Sequence, residues 1–144
     1  MNELSKNVDT REVLAPVSVG SGIDSNSDRV DTAGYDGIRF IVPIEDSAST
    51  GVASLNVQEN SVDSDSGMTT VDTATVTCVV NDDINGTLLI VDIFHPLLRY
   101  VQGNVTSSAA NIAYGSMICE LYHSKVKPIT NHATVSDIDV SVGV

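Results

Sequence analysis

Residues 51–59 read Gly51-Val52-Ala53-Ser54-Leu55-Asn56-Val57-Gln58-Glu59, and their alternation decides the fold. Ala53, Leu55 and Val57 fall on one face of an extended chain, while Ser54, Asn56 and Gln58 fall on the other, the wet side. A helix would scatter those three apolar residues around its circumference; a strand lines them up against a core. Towards the N-terminus the same period returns in Ile38 to Ile44, with Phe40 and Val42 aligned, and in Val13 to Val19. There Val13, Ala15, Val17 and Val19 share a face, and Pro16 on the opposite parity marks an edge strand. Towards the C-terminus it returns in Ala74–Val80, Thr87–Phe94, Leu97–Val105, Ile112–His123 and Val135–Val144. Asn85-Gly86 between two apolar runs predicts a hairpin, because both residues tolerate positive φ. Gly115 within Ile112–His123 predicts a bulge or a close-packing point.

No segment keeps a period of 3.6 over the ~11 residues a helix needs. About eight strands separated by Gly, Asp, Asn and Ser predict an all-β chain folded as an antiparallel β-sandwich. Residues 13–144 form the single sandwich domain. Residues 1–12 are polar and read as an N-terminal arm, and residues 131–144 as a C-terminal arm or edge strand. On that tail Ile138, Val140 and Val142 share an apolar face, which makes them candidate interface residues. Gly20 to Asp31 and Asn60 to Thr70 read as polar connections.

Composition agrees with this reading. Val, Ser and Thr number 21, 17 and 12 among 144 residues, and Trp is absent. Seven Lys and Arg against 19 Asp and Glu give a net charge of −12, spread as −8 over residues 1–70 and −4 over residues 71–144. Such a field repels phosphate backbones and anionic lipid, so neither nucleic acid nor membrane is expected as a partner. Cys78 and Cys119 each sit within an apolar alternating run and read as buried, reduced thiols, with a disulfide across the sandwich core as the alternative. The start of the chain shows no apolar core of a signal peptide, which fits that expectation.

Catalytic patterns are sparse. There is no Gly-x-Ser-x-Gly elbow, no HExxH, no glycine-rich phosphate loop and no CxxC. His95, His123 and His132 lack catalytic spacing, and Cys119 and His123, four apart on a strand, stand ~13 Å apart along it. The acidic runs Asp63-Ser64-Asp65-Ser66-Gly67 and Asp24-Ser25-Asn26-Ser27-Asp28 put oxygens at alternate positions, as calcium loops do. Asp63 and Asp65 are therefore the candidate metal ligands, weighed against a plain solvated loop. No cofactor is called for, and no enzyme is expected.

Two stretches resemble a known family together. Asp31-Thr32-Ala33-Gly34-Tyr35-Asp36-Gly37-Ile38-Arg39-Phe40-Ile41-Val42 leads on to Leu55-Asn56-Val57-Gln58-Glu59. Later, Leu97-Leu98-Arg99-Tyr100-Val101-Gln102 leads to a strand closing in His123-Ser124-Lys125-Val126-Lys127-Pro128. This order resembles small virion structural proteins of tailed bacteriophages, encoded among head genes. The resemblance implies a jelly-roll-like sandwich that decorates or cements the capsid, made in the host cytoplasm and bound to the virion surface. Its implied partners are the major capsid protein and further copies of itself, as a homotrimer, with no catalysis. Arg99 and Tyr100, residue types enriched at binding hot spots, are the candidate interface anchors; the alternative is an Arg pairing with a local Asp beside a Tyr capping the core. Other functional readings are a tail, neck or head-fibre subunit of the same virion, and a calcium- or glycan-binding module.

Overall fold

A computed structural model describes residues 4–79 and 84–138 of the chain, with the side chain of Val79 left aside. After a 3₁₀ turn at Leu4–Lys6 come eleven strands: β1 Asp9–Leu14, β2 Val17–Gly20, β3 Asp24–Asn26, β4 Val30–Asp31, β5 Gly37–Ser47, β6 Val52–Asn60, β7 Thr69–Val79, β8 Thr87–Phe94, β9 Tyr100–Ser108, β10 Ile112–Tyr114 and β11 Met117–Tyr122. Every pairing between them is antiparallel.

Three pairs of short strands lie end to end and act as single rows. β11 and β10 share one side of β5, β1 and β2 continue outward from them, and β3 and β4 share one side of β9. The eleven strands are thus eight rows in two four-row layers. Numbered along the chain, one layer runs sixth, third, eighth, first, and the other fifth, fourth, seventh, second. Rows therefore pair as one with eight, two with seven, three with six and four with five. This is a long antiparallel ribbon rolled around a core, the jelly-roll connectivity.

The core lies where the inward faces meet. Ile38, Phe40, Val42 and Ile44 from β5 oppose Ala53, Leu55 and Val57 from β6, and all seven are fully buried. Ile112, Tyr114, Met117 and Leu121 are also among the largest fully buried side chains. Tyr114 stands on β10 yet hydrogen-bonds the other layer: its hydroxyl donates to Thr106 C=O at 2.6 Å and accepts from Ser54 N–H at 3.1 Å. Pro43 occupies a central strand, which normally costs a ladder bond. Its C=O accepts from Gly115 N–H at 2.9 Å, so its nitrogen faces the gap between β10 and β11, where the ladder is already broken. A Cβ on Gly115 would stand 2.6 Å from Pro43 Cγ, so the expected close-packing point is here.

Several local expectations need correction. The sandwich begins at Asp9, four residues inside the expected arm, because Asp9 to Glu12 pair in register with Leu121 to Ile118. The predicted Val13–Val19 strand breaks at Ala15-Pro16, and its halves serve different neighbours. The polar stretch Gly20–Asp31 supplies the whole second row; its Asp24 and Asn26 side chains pair with Asn104 across the sheet. Asn85-Gly86 makes no hairpin. Gly86 does take positive φ (76°), but β7 pairs with β6 and β8 with β5, so the turn carries the chain between layers. Residues 131–138 contain no strand; the rest of the predicted tail strand, with Val140 and Val142, lies outside the described residues.

Candidate functional site

The outer face of the first layer follows from register. Reading across β8, β5 and β11, Leu88 opposes Pro43; Ile90 opposes Ile41, which opposes Ile118; Asp92 opposes Arg39, which opposes Glu120; Phe94 opposes Gly37, which opposes Tyr122. Two apolar rows thus lie beside a charged row and an aromatic one. Leu88, Ile90 and Phe94 are 56%, 44% and 55% exposed, an apolar stripe along an outermost strand that only Asp92 interrupts. Stripes of this kind mark contact surfaces.

The charged row is internally paired. Arg39 binds Glu120 through both Nε and Nη2, which raises the guanidinium pKa further above its usual value. Asp92 accepts the Tyr122 hydroxyl at 2.5 Å. Desolvation, and then that hydrogen bond, raises the Tyr122 pKa. Gly37 is what admits the aromatic row: a Cβ there would lie 2.1 Å from Tyr122 Cζ, so the ring lies over the glycine. Phe94 stacks on His95 with centroids 3.9 Å apart and runs parallel to Tyr122 at 6.5 Å. His123 leaves the strand at φ 53° and turns its ring edge to both Phe94 and Tyr122. It is therefore not stacked along a strand face with Cys119. Sequence reading missed this cluster, although Phe94 and Tyr122 each end an apolar run beside a histidine.

Beside β8, between it and β7 of the other layer, runs a cleft of about 460 Å³. Val71, Val76, Pro96 and Leu97 contribute its apolar surface and Asp72 its charge, with Asp92 at its rim facing the outer side; among the described residues its lining holds neither Lys nor Arg. Leu97 is 87% exposed.

The second layer's outer face is polar and mostly hydrogen-bonded within itself, with the buried Gln102 Oε1 left without a partner. Asn104 Nδ2 donates to Asp24 and Asn26, each at 2.7 Å; Gln102 Nε2 donates to Gln58 at 2.8 Å; Thr75 donates to Asn56 at 2.6 Å. These amides explain why Gln102 and Asn104 are buried despite facing outward.

The predicted residues do not converge on one site. Asp63 and Asp65 each accept from one guanidinium, Arg29, at 2.5 and 2.7 Å. Their loop is held by Asn60, whose Nδ2 donates to the carbonyls of Ser64 and Ser66. Among the described residues no three His, Cys, Asp or Glu side chains gather as a metal site would require. Arg99 forks onto Asp31 with bonds of 2.9 and 2.8 Å and lies 5.3 Å from the centre of the Tyr100 ring. That fork lowers the Asp31 pKa. This is an Arg–Asp ion pair of the kind weighed as the alternative, and both side chains are exposed. Ile138 is 37% exposed. Cys78 and Cys119 are free thiols, the latter fully buried.

Fold and surface together define a jelly-roll β-sandwich with an apolar outer stripe on one sheet edge. No family model matches the chain, and no curated protein does. Among solved structures, the chain is similar to the PBSX exported protein XepA, at 14% identity and a TM-score of 0.59. That match covers 98% of this chain and 46% of XepA, so the chain spans just under half of its length. The CBM22-1–GH10 modules of Clostridium thermocellum xylanase 10B, solved with xylohexaose, match at 13% identity and a TM-score of 0.49, over 84% of this chain and 29% of that one. At such identities the XepA likeness speaks for the fold alone.

Proposed function

We propose that this chain is a non-enzymatic structural protein of a tailed-phage virion. It acts as a decoration or cement protein bound to the outer surface of the head through the major capsid protein, and it self-associates as a homotrimer. The observation that carries this reading is the exposed stripe Leu88, Ile90 and Phe94 on an otherwise acidic jelly-roll. A net charge of −12 keeps the free protein soluble, while one apolar edge supplies a contact surface. Repetition over a shell then turns weak single contacts into lasting attachment. The fold likeness to a PBSX exported protein is compatible with a phage setting.

Co-sedimentation with expanded heads, read with native mass spectrometry of the free protein, tests the reading. Saturable binding to heads and a trimer are expected; a strict monomer indifferent to heads overturns it. Electron microscopy of labelled particles separates the head surface from a neck, tail or fibre position. One observation favours a glycan-binding alternative, the amide and hydroxyl ladder of the second layer. Soluble oligosaccharides that shift the Asn56, Gln58 and Asn104 side-chain amide resonances would support it instead.

A further inference from the structure

Backbone geometry adds a second property to the apolar stripe. Gly115 N–H donates to Pro43 C=O, so odd residues of β5 turn their backbone groups to the β10–β11 row and even ones turn theirs to β8. Gly86 N–H on Ile44 C=O, and His95 N–H on Asp36 C=O, agree. With Ile38 opposite Ile93, Phe40 opposite Val91 and Val42 opposite Leu89, the odd residues of β8 hold its ladder bonds. Leu88, Ile90, Asp92 and Phe94 therefore turn N–H and C=O outward, and among the described residues no strand pairs with that edge. The same four residues carry the exposed side chains.

We propose that the β8 edge is a strand-addition site for an extended segment of a different protein, one that alternates apolar with Lys or Arg residues. Main-chain bonding to the four outward pairs supplies affinity, and alternate side chains supply selectivity. On the outer side the added strand extends the Leu88, Ile90, Phe94 surface; on the other it enters the cleft beside Val71, Val76 and Leu97. Charge selects the occupant. Asp72 on the cleft side and Asp92 on the outer side flank the edge, and the cleft lining offers no basic side chain but His95, so a cationic segment is complementary there. A second copy would bring the same two carboxylates and a net −12 to the edge, which opposes pairing between copies. The inference deepens the virion reading and rests on it only for the partner's identity; the chemistry of the edge stands without it.

The test titrates the full chain, ¹⁵N-labelled, with an end-capped peptide of alternating Val and Lys that matches the eight residues of β8. The expected result is selective shifts and slowed hydrogen exchange at the amides of Leu88, Ile90, Asp92 and Phe94. A Val/Glu peptide should bind at least ~10-fold more weakly, a difference of ~1.4 kcal/mol. A peptide N-methylated at alternate residues should lose binding altogether, a control that leaves the protein untouched. Ile90→Pro removes an outward N–H and no β5 ladder bond, so it should fold and fail to bind. Equal binding of the Glu or N-methyl peptide, shifts confined to other strands, or concentration-dependent self-pairing through β8 would each overturn the proposal. Heads that ignore a protein which still takes the peptide would sink the virion reading and leave the edge site standing.

Discussion

Tyr114→Phe removes one oxygen atom and tests how the two layers are tied. The ring is fully buried, and its hydroxyl is held by groups of the opposite layer, Thr106 C=O and Ser54 N–H. Phenylalanine keeps the packing and leaves both backbone groups without that partner in a dry core. Two buried hydrogen bonds at about 1 kcal/mol each give a loss near 2 kcal/mol. For a chain near 150 residues that is a drop of roughly 4–8 °C in melting temperature. The pH dependence supplies an independent signature. Burial pushes the Tyr114 pKa from 10.0 up to about 12, so the folded state favours the neutral hydroxyl. Its contribution is complete below pH 10 and is lost as pH rises from 10 towards 12, at up to about 1.4 kcal/mol per pH unit. The wild type should therefore lose more stability than the variant over that window, and the gap between their urea midpoints should narrow. Ser54 and Thr106 face each other in register, so they could satisfy one another once the hydroxyl is gone. Equal stability at pH 7 would mean that they do and that the bridge adds nothing, while a gap constant from pH 8 to 11 would refute the holding of the hydroxyl in its neutral form by burial.

Three further outcomes follow from other contacts. Gly37→Ala puts a methyl where the Tyr122 ring lies and should cost about 1–3 kcal/mol; in urea melts, a Tyr122→Ala background should absorb most of that loss. Burial pushes the Cys119 thiol from 9.0 up to about 12, so in the native protein a thiol reagent at pH 8 should label Cys78 alone and reach both cysteines only after denaturation. Because the Arg29 guanidinium lies between Asp63 and Asp65, neither chelator nor added calcium should move the melting temperature, and a rise of several degrees with calcium would return that loop to the metal-binding class.

Legibility in the sequence followed the strength of the alternation. Rows buried on one face were plain: Ala53, Leu55 and Val57, or Phe40 and Val42, each fill alternate places in the core. The second row was not, because Asp24-Ser25-Asn26 is polar at every position. It is a strand because Asn104 and Ser107 of its neighbour supply polar partners, and no local pattern announces a partner some eighty residues away. The Asn85-Gly86 turn was correctly seen as a turn and wrongly as a hairpin. Turn chemistry fixes a reversal of the chain, whereas pairing depends on which edges are already occupied, and β6 and β5 had claimed the two strands. The acidic loop had the right oxygens for calcium; Arg29, 34 residues earlier, takes two of them.

The exposed edge was written in the sequence in a form that one-sided alternation obscures. Leu88-Leu89-Ile90-Val91-Asp92-Ile93-Phe94 is apolar at both parities except at Asp92. A run of this kind signals a strand buried on both faces, as in a central or covered position. The structure puts it instead at the rim of its layer, with Leu89, Val91 and Ile93 in the core and Leu88, Ile90 and Phe94 outward. Rim strands of soluble proteins are ordinarily blunted by charge, by proline or by a covering loop. Along this one Asp92 is the sole charge, and the proline nearest to it, Pro96, lies beyond its end. A doubly apolar strand at a rim is an aggregation hazard unless something else completes it. The residues that make β8 hard to place by pattern are therefore the ones that argue for an added strand.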